Sequence, residues 1–218
     1  MRPERRRTPP ARSNAAPLSA LRRGARSVLG RELSDTETES FIKYLNILVK
    51  WQTTHRFLGS NEPGWIVERV FLDSLLFRRA LPPAARDILD AGSGAGVPGI
   101  PLKIVDPEMR LTMVESRQKR VSFLSAAIRE LAFPETKVLG ERLEDVVRRS
   151  AGQFDAVVAR CAGDVGYLFG LGVHLVKPGG VVIASGPPKE YRLPAGLWMT
   201  VAGVKPGETR RFAIFRRE

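Results

Sequence analysis

One stretch of the sequence decides the fold: Leu89-Asp90-Ala91-Gly92-Ser93-Gly94-Ala95-Gly96-Val97-Pro98-Gly99-Ile100-Pro101. The residues ahead of it, Asp87-Ile88-Leu89, predict a short buried strand, and Ile100 to Val105 predict a helix. Pro98 and Pro101 suit a first helical turn, where a missing N–H has no partner to lose. A glycine run between a strand and a helix lets the backbone approach a ligand and directs free N–H groups at it. The stretch therefore predicts a small-molecule site at the carboxyl end of a strand.

Two cofactors fit this turn. The dinucleotide spacing G-x-G-x-x-G is met by Gly94, Gly96 and Gly99, which alone is a weak indication. The alternative loop is Gly92, Gly94 and Gly96, with Asp90 two residues before it, and it resembles motif I of S-adenosyl-L-methionine (SAM) methyltransferases. Both cofactors need an acidic residue after the next strand to bind ribose hydroxyls, and Glu115 closes the predicted strand 111–115. A tight turn without a ligand is the third interpretation.

A longer string points to one family. Asp90 to Leu102, followed by Glu115-Ser116, Lys119-Arg120 and Phe123-Leu124, resembles the bacterial glucose-inhibited division protein B family. The resemblance runs from about Leu18 to Arg217. It implies a SAM-dependent methyltransferase that acts on guanine N7 in small-subunit (16S) ribosomal RNA. The fold implied is the class I, Rossmann-like α/β fold.

The resemblance also implies a set of site residues. Asp90 would orient the glycine loop or reach the methionine amino group through water, and Glu115 would accept hydrogen bonds from both ribose hydroxyls. Glu144 would serve the adenine side. The remaining positions would admit or flank the cofactor, and they are Gly92, Gly94, Gly96, Val97 and Leu143.

Arg160 is the predicted catalytic residue and would also contact the cofactor. It ends the apolar strand 155–159, so it needs an anionic or carbonyl partner. The resemblance places the matching arginine in the cofactor and substrate pocket. Guanine N7 has a lone pair and no proton, so methyl transfer to it needs no general base. Cys161 as a nucleophile is the weaker interpretation, because this transfer needs no covalent adduct.

The composition of the chain limits its possible partners and its cellular compartment. Of the formal charge of +12, residues 1–31 supply +8, from nine arginines against Glu4 alone, and basic arms of this kind commonly bind nucleic acid. A single cysteine excludes an internal disulfide and fits a reducing compartment. No apolar run reaches the length of a membrane span. We expect a cytoplasmic monomer that binds ribosomal RNA and neither a membrane nor a metal; the two histidines, His55 and His174, are far apart in sequence.

The chain divides into three parts. Residues 1–17 are predicted to be a disordered basic arm, either an RNA contact, an inert tail or a mitochondrial targeting segment. Residues 18–84 are predicted to form an N-terminal helical cap, with helices over 18–29, after the capping-box pattern Ser34-Asp35-Thr36-Glu37, and over 61–81. Residues 85–218 alternate between strand and helix, which predicts a doubly wound, mostly parallel sheet. A final β-hairpin is predicted across Lys205-Pro206-Gly207.

Two segments depart from the family pattern. Arg69-Val70-Phe71-Leu72-Asp73-Ser74 resembles the family's Arg-His-x-x-Asp-Ser, with Val70 in place of the histidine. The simplest interpretation of Arg69 and Asp73 is an i,i+4 ion pair. The segment 184–188 has Ser185-Gly186-Pro187-Pro188 where the family has Leu-Lys-Gly and a helix. Because of the second departure, two other functions stay possible: a methyltransferase with another substrate, or an RNA-binding relative that keeps the fold without catalytic activity. A nicotinamide dehydrogenase is disfavoured, because nothing resembles a hydride-transfer site.

Overall fold

The N-terminal helices pack against one face of the central β-sheet. A computed structural model describes residues 15–160, 164–186 and 192–218. Helix α1 (Ala15–Leu29) is followed by α2 (Asp35–His55), whose capping box between Ser34 and Glu37 is confirmed. A third helical segment contains α3 (Pro63–Ile66), a π-helical stretch (Val67–Leu72), α4 (Asp73–Leu75) and a 3-10 turn (Leu76–Arg79). The helix predicted over 61–81 is therefore present, but not as one regular α-helix.

Helix α1 begins earlier than predicted. Ala15 is its first residue, so residues 15–17, which were assigned to the disordered arm, are helical. Pro17 did not prevent this, because proline is tolerated in the first turn of a helix. The rest of the predicted arm, residues 1–14, lies outside the described residues, as do Cys161, Pro187 and Pro188.

The predicted alternation of strands and helices is confirmed. Within the described residues the strands form a seven-stranded sheet in the order β3-β2-β1-β4-β5-β7-β6. Strands β1 to β5 are parallel, and β7 is antiparallel to both β5 and β6. The strands are β1 (Asp87–Ala91), β2 (Arg110–Val114), β3 (Thr136–Leu139), β4 (Phe154–Ala159), β5 (Val176–Ser185), β6 (Leu197–Ala202) and β7 (Thr209–Arg216).

Helices cover both faces of this sheet. The connecting helices are α5 (Gly99–Val105), α6 (Gln118–Leu131), α7 (Leu143–Val147) and α8 (Val165–Leu175). Successive strand residues belong to different apolar clusters: Ile88 and Ala156 pack with the N-terminal helices, whereas Leu89 and Val157 pack with α8. Since side chains alternate along a strand, both faces are buried. The prediction of a doubly wound, mostly parallel sheet is confirmed.

The C-terminal hairpin forms as predicted, from β6 and β7. Strand β5 begins at Val176 and runs through residues 177–180, a Lys-Pro-Gly-Gly sequence typical of a turn. This segment is irregular, and the register of β5 against β4 shifts there. Among the described residues, no helix is long and apolar enough to cross a membrane.

Candidate cofactor and substrate site

The glycine loop follows β1 at the carboxyl edge of the sheet. Gly92, Gly94 and Gly96 all adopt left-handed backbone conformations, with φ of +68°, +56° and +83°. A Cβ at Gly96 would come within 2.4 Å of Ile100 Cδ1, so the turn into α5 admits only glycine there. A Cβ at Gly92 would meet no atom within 4 Å. The loop therefore exposes bare backbone to open space at Gly92, as a ligand cradle requires.

Asp90 lies completely buried beneath this loop. Its Oδ2 accepts a hydrogen bond of 2.9 Å from the backbone N–H of Gly99, at the start of α5. Its Oδ1 is also buried and has no hydrogen-bond partner among the described residues. Burial raises the pKa of Asp90 to about 7, and the nearby charge of Glu115 adds to the shift. Asp90 thus joins the end of β1 to the start of α5, and its other carboxylate oxygen has no described partner.

Glu115 connects β2 to the loop. It is the first residue after the strand and only 5% exposed. Its Oε2 accepts a 3.1 Å hydrogen bond from Gly94 N–H and its Oε1 accepts one of 2.9 Å from Arg117 N–H. Arg120 Nη1 lies 3.5 Å from Oε2. A carboxylate has about four acceptor positions, so these contacts leave about one, on Oε1, and the long contact with Arg120 is the one that a second ribose hydroxyl would replace.

Tyr44 is a site residue that the sequence analysis missed. This side chain of α2 is fully buried, and its hydroxyl donates to the carbonyl of Ala95 in the glycine loop. Burial raises the pKa of Tyr44 well above its usual value; Asp90 raises it further, and Arg160 opposes the shift. Tyr44 therefore lies within electrostatic reach of both residues. In the sequence, the role of Tyr44 was indicated only by its position: it places a hydroxyl on the apolar face of α2 that Phe41, Leu45 and Leu48 form.

Arg160 follows β4 and turns towards the N-terminal helices. Its side chain is 17% exposed, its Nη2 donates to the backbone carbonyl of Arg69, and its Nε lies 3.3 Å from Asp73 Oδ2. The expected carbonyl and anionic partners are therefore both present. The Asp73 carboxylate also pairs with Arg210 of β7, at 3.0 Å between Oδ1 and Nε. The predicted pair between Arg69 and Asp73 is wrong, because Asp73 serves these two arginines instead.

The remaining predicted residues are only partly connected to the loop. Val97 is half-buried and packs against the core beside the N-terminal helices. Leu143 and Glu144 begin α7, and Leu143 packs against the apolar cluster on the other face of the sheet. Glu144 accepts a hydrogen bond from the hydroxyl of Tyr167. No described contact joins Glu144 to Glu115 or to the glycine loop.

The geometry fits SAM. The cofactor's ribose hydroxyls and ammonium group are donors, and Glu115 and the unpartnered Asp90 Oδ1 are acceptors. The open backbone at Gly92 directly follows β1, which carries Asp90, and Glu115 directly follows the neighbouring strand β2. Within the described ranges, no group of three His, Cys, Asp or Glu side chains is placed to hold a metal ion.

The sheet order 3-2-1-4-5-7-6, with a glycine loop after β1 and an acid after β2, defines the class I SAM-dependent methyltransferases. A profile of the GidB family, described as rRNA small subunit methyltransferase G, matches residues 37–187. The chain belongs to this family.

Individual relatives carry the same family name. Ribosomal RNA small subunit methyltransferase G of Xanthomonas axonopodis pv. citri is 33% identical over 192 residues, which is 86% of each chain. The protein of the same name from Polynucleobacter asymbioticus is 32% identical over 160 residues, 72% of each chain. Among solved structures, the [4+2]-cyclase SpnF is similar with a TM-score of 0.50 and 15% identity, covering 70% of this chain and 61% of that one. This last likeness is one of fold alone.

Proposed function

We propose that this chain transfers a methyl group from SAM to N7 of a guanine in small-subunit (16S) ribosomal RNA. The observation that carries the proposal is the buried constellation of Asp90, the glycine loop and Glu115, in a chain of the GidB family. The expected cytoplasmic location follows from an RNA substrate of this kind. A monomer, and a division into arm, cap and core with the cap beginning at α1 and ending at residue 84, remain parts of the proposal.

The protein's contribution to the cofactor site is to supply acceptors on a rigid loop. Glu115 holds ribose hydroxyls while it keeps its hydrogen bond to Gly94. Asp90 orients the glycine loop, or reaches the ammonium group through water. Gly92 and Gly94 leave room for the ligand, Gly96 allows the turn into α5, and Val97 and Leu143 flank the ligand. Glu144 serves the adenine side, for which its hydrogen bond with Tyr167 fixes the carboxylate. SAM supplies an electrophilic methyl group on a sulfonium.

The residues around the acceptor guanine need to position it rather than to move protons. Because N7 is unprotonated, no side chain has to act as a base. Correct alignment of two bound reactants can lower a barrier by about 7–11 kcal/mol. The described site, with its buried carboxylates and without a metal-ligand cluster, suits catalysis of this kind.

Arg160 is the proposed catalytic contact. Methylation moves positive charge onto the guanine ring, so an uncompensated cation facing that ring would oppose the reaction. The guanidinium of Arg160 is partly neutralised by Asp73 and by the carbonyl of Arg69, which leaves N–H groups for guanine O6, a phosphate or the SAM carboxylate. We expect Arg160→Ala to lower turnover at saturating SAM at least a hundredfold, and Arg160→Lys to recover little.

The proposal is tested with the purified chain, SAM and small-subunit RNA isolated from cells that lack the gene. N7-methylguanine is mapped by chemical cleavage, and we expect one modified guanine. Turnover between about pH 6 and 8 should show no titration of a catalytic base. Modification of another atom or another RNA would replace the substrate assignment, and SAM binding without any transfer would indicate a silent relative.

A further inference from the structure

A cleft of about 750 Å³ opens beside the site. Its walls are α1, the π-helical stretch 67–72 with Asp73, and the turn 203–208 between β6 and β7. Arg79 holds these walls together, since its guanidinium donates to backbone carbonyls of Ser27, Ala202 and Gly203. The cleft is therefore a built feature that three separate parts of the chain maintain.

The position of the cleft follows from the strand order. Strand β7 begins at Thr209, beyond the carboxyl end of β5, because Ser185 pairs with Phe212. The turn 203–208 therefore lies at the same edge of the sheet as the glycine loop and Arg160. Along that edge the order is β2, β1, β4, β5, β7, so Arg160 separates the glycine loop from the cleft. A ligand in the cleft would approach Arg160 from the side opposite the cofactor loop.

The cations of the cleft are incompletely neutralised. Four line it, Arg23, Arg69, Lys205 and Arg210. The acids are engaged: Glu68 pairs with Lys205 at 3.3 Å, Asp73 with Arg210, and Glu208 accepts the backbone N–H of Lys205. Arg23 and Arg69 are exposed, and in the described part of the chain no carboxylate lies within ion-pair distance of either.

Arg210 supplies a second indication of an anionic ligand. Its Nε lies 3.0 Å from Asp73 Oδ1, but the N–H does not point at that oxygen. The buried Nε consequently has no hydrogen-bond partner within the described ranges. Its other nitrogens make long contacts, 3.3 Å to the carbonyl of Gly186 and 3.4 Å to Asp73 Oδ2. The Arg210 side chain is 26% exposed and its other nitrogens make only long contacts, so its N–H groups are available to a phosphate in the cleft.

We infer that this cleft binds the sugar-phosphate backbone of the substrate RNA next to the target guanine, with Arg69 and Arg210 as the phosphate ligands. The inference rests on the proposed function for the identity of the RNA. Asp73 is a positioning residue: one carboxylate holds Arg210 in the cleft and Arg160 behind it. Binding of a phosphate at Arg210 is thereby linked to the placement of Arg160 at the base.

The test compares Arg69→Gln, Arg210→Gln and Asp73→Asn with the parent, using the RNA from cells that lack the gene. Each arginine variant should raise the KM for RNA at least fivefold and lower the slope of log affinity against log salt by about 0.7. The affinity for SAM should stay within twofold. Asp73→Asn removes a negative charge, so RNA should bind as tightly or more tightly, while kcat falls at least tenfold because Arg160 loses its anchor.

Arg216→Gln is the matched control, since Arg216 is an exposed arginine of the same strand at the opposite edge of the sheet. It should match the parent in every readout. Parent-like KM and salt slope in both arginine variants would overturn the inference and leave N7 methylation standing. If the parent itself transfers no methyl group, the proposed function fails, and the salt slopes of RNA binding still decide the cleft. A fall in melting temperature together with lost SAM binding in Asp73→Asn would make Asp73 merely structural.

Discussion

Glu115 is the residue on which the cofactor assignment depends most directly. Charge-assisted hydrogen bonds are worth about 1.5–3 kcal/mol each, so Glu115→Ala should weaken SAM binding at least tenfold. Calorimetry on the purified variants measures this. Glu141→Ala removes a carboxylate whose described partner is Arg149, and it should leave SAM affinity unchanged. Equal affinity in Glu115→Ala and the parent, or tight NADH binding by the parent, would contradict the assignment.

Asp90 makes stability depend on pH. Its pKa is about 7 in the folded chain and about 3.9 when unfolded, so between these values the folded state binds more protons. The contribution of Asp90 to stability is therefore lost as pH rises from about 4 to about 7, by up to about 4 kcal/mol in total. Urea unfolding of the cofactor-free protein at pH 5 and 8, compared with Asp90→Asn, isolates this term. An identical pH dependence in the variant would show that Asp90 ionises normally.

Helix α2 supports the cofactor loop through one hydroxyl. Tyr44→Phe removes the donor to the Ala95 carbonyl and leaves that acceptor with one bond fewer. We expect a loss of stability of about 1 kcal/mol and weaker SAM binding, because the loop is less firmly held. Ser40→Ala removes an exposed hydroxyl from the same helix and should change neither. Chemical denaturation and calorimetry on both variants make the comparison. Unaltered SAM affinity in Tyr44→Phe would show that α2 does not order the loop.

The elements that the sequence predicted well are those with local determinants. Glycine and proline placed the turn between β1 and α5, and the Ser34-Glu37 capping box placed the start of α2. The π-helical stretch at 67–72 was missed, because an extra residue in a helical turn leaves the apolar spacing nearly unchanged. Asp73 was assigned to its neighbour Arg69, since its real partners, Arg160 and Arg210, are distant in sequence and meet only through the sheet order.

At the scale of the whole molecule, the fold brings several cationic groups to the carboxyl edge of the sheet. Glycine loop, Arg160 and the cleft share the carboxyl edge of the sheet, and Arg23 of α1 lines the cleft. The arginines that precede α1 in the sequence, at positions 2, 5, 6, 7 and 12, continue this basic character. The strand order explains why residues 23, 69, 160 and 210 converge, which no spacing in the sequence indicates.

Deleting residues 2–14 tests the arm separately from the cleft, because the deletion ends before the first residue of α1. If all five arginines contact phosphates, the slope of log affinity against log salt should fall by about 3–4. Preference for the target RNA should hardly change, since phosphate contacts carry no base information. Binding titrations from low to physiological salt, with Arg210→Gln alongside, give both slopes. An unchanged slope in the deletion would make the arm a tail or a targeting segment, and would assign the electrostatic contribution to the folded part of the chain.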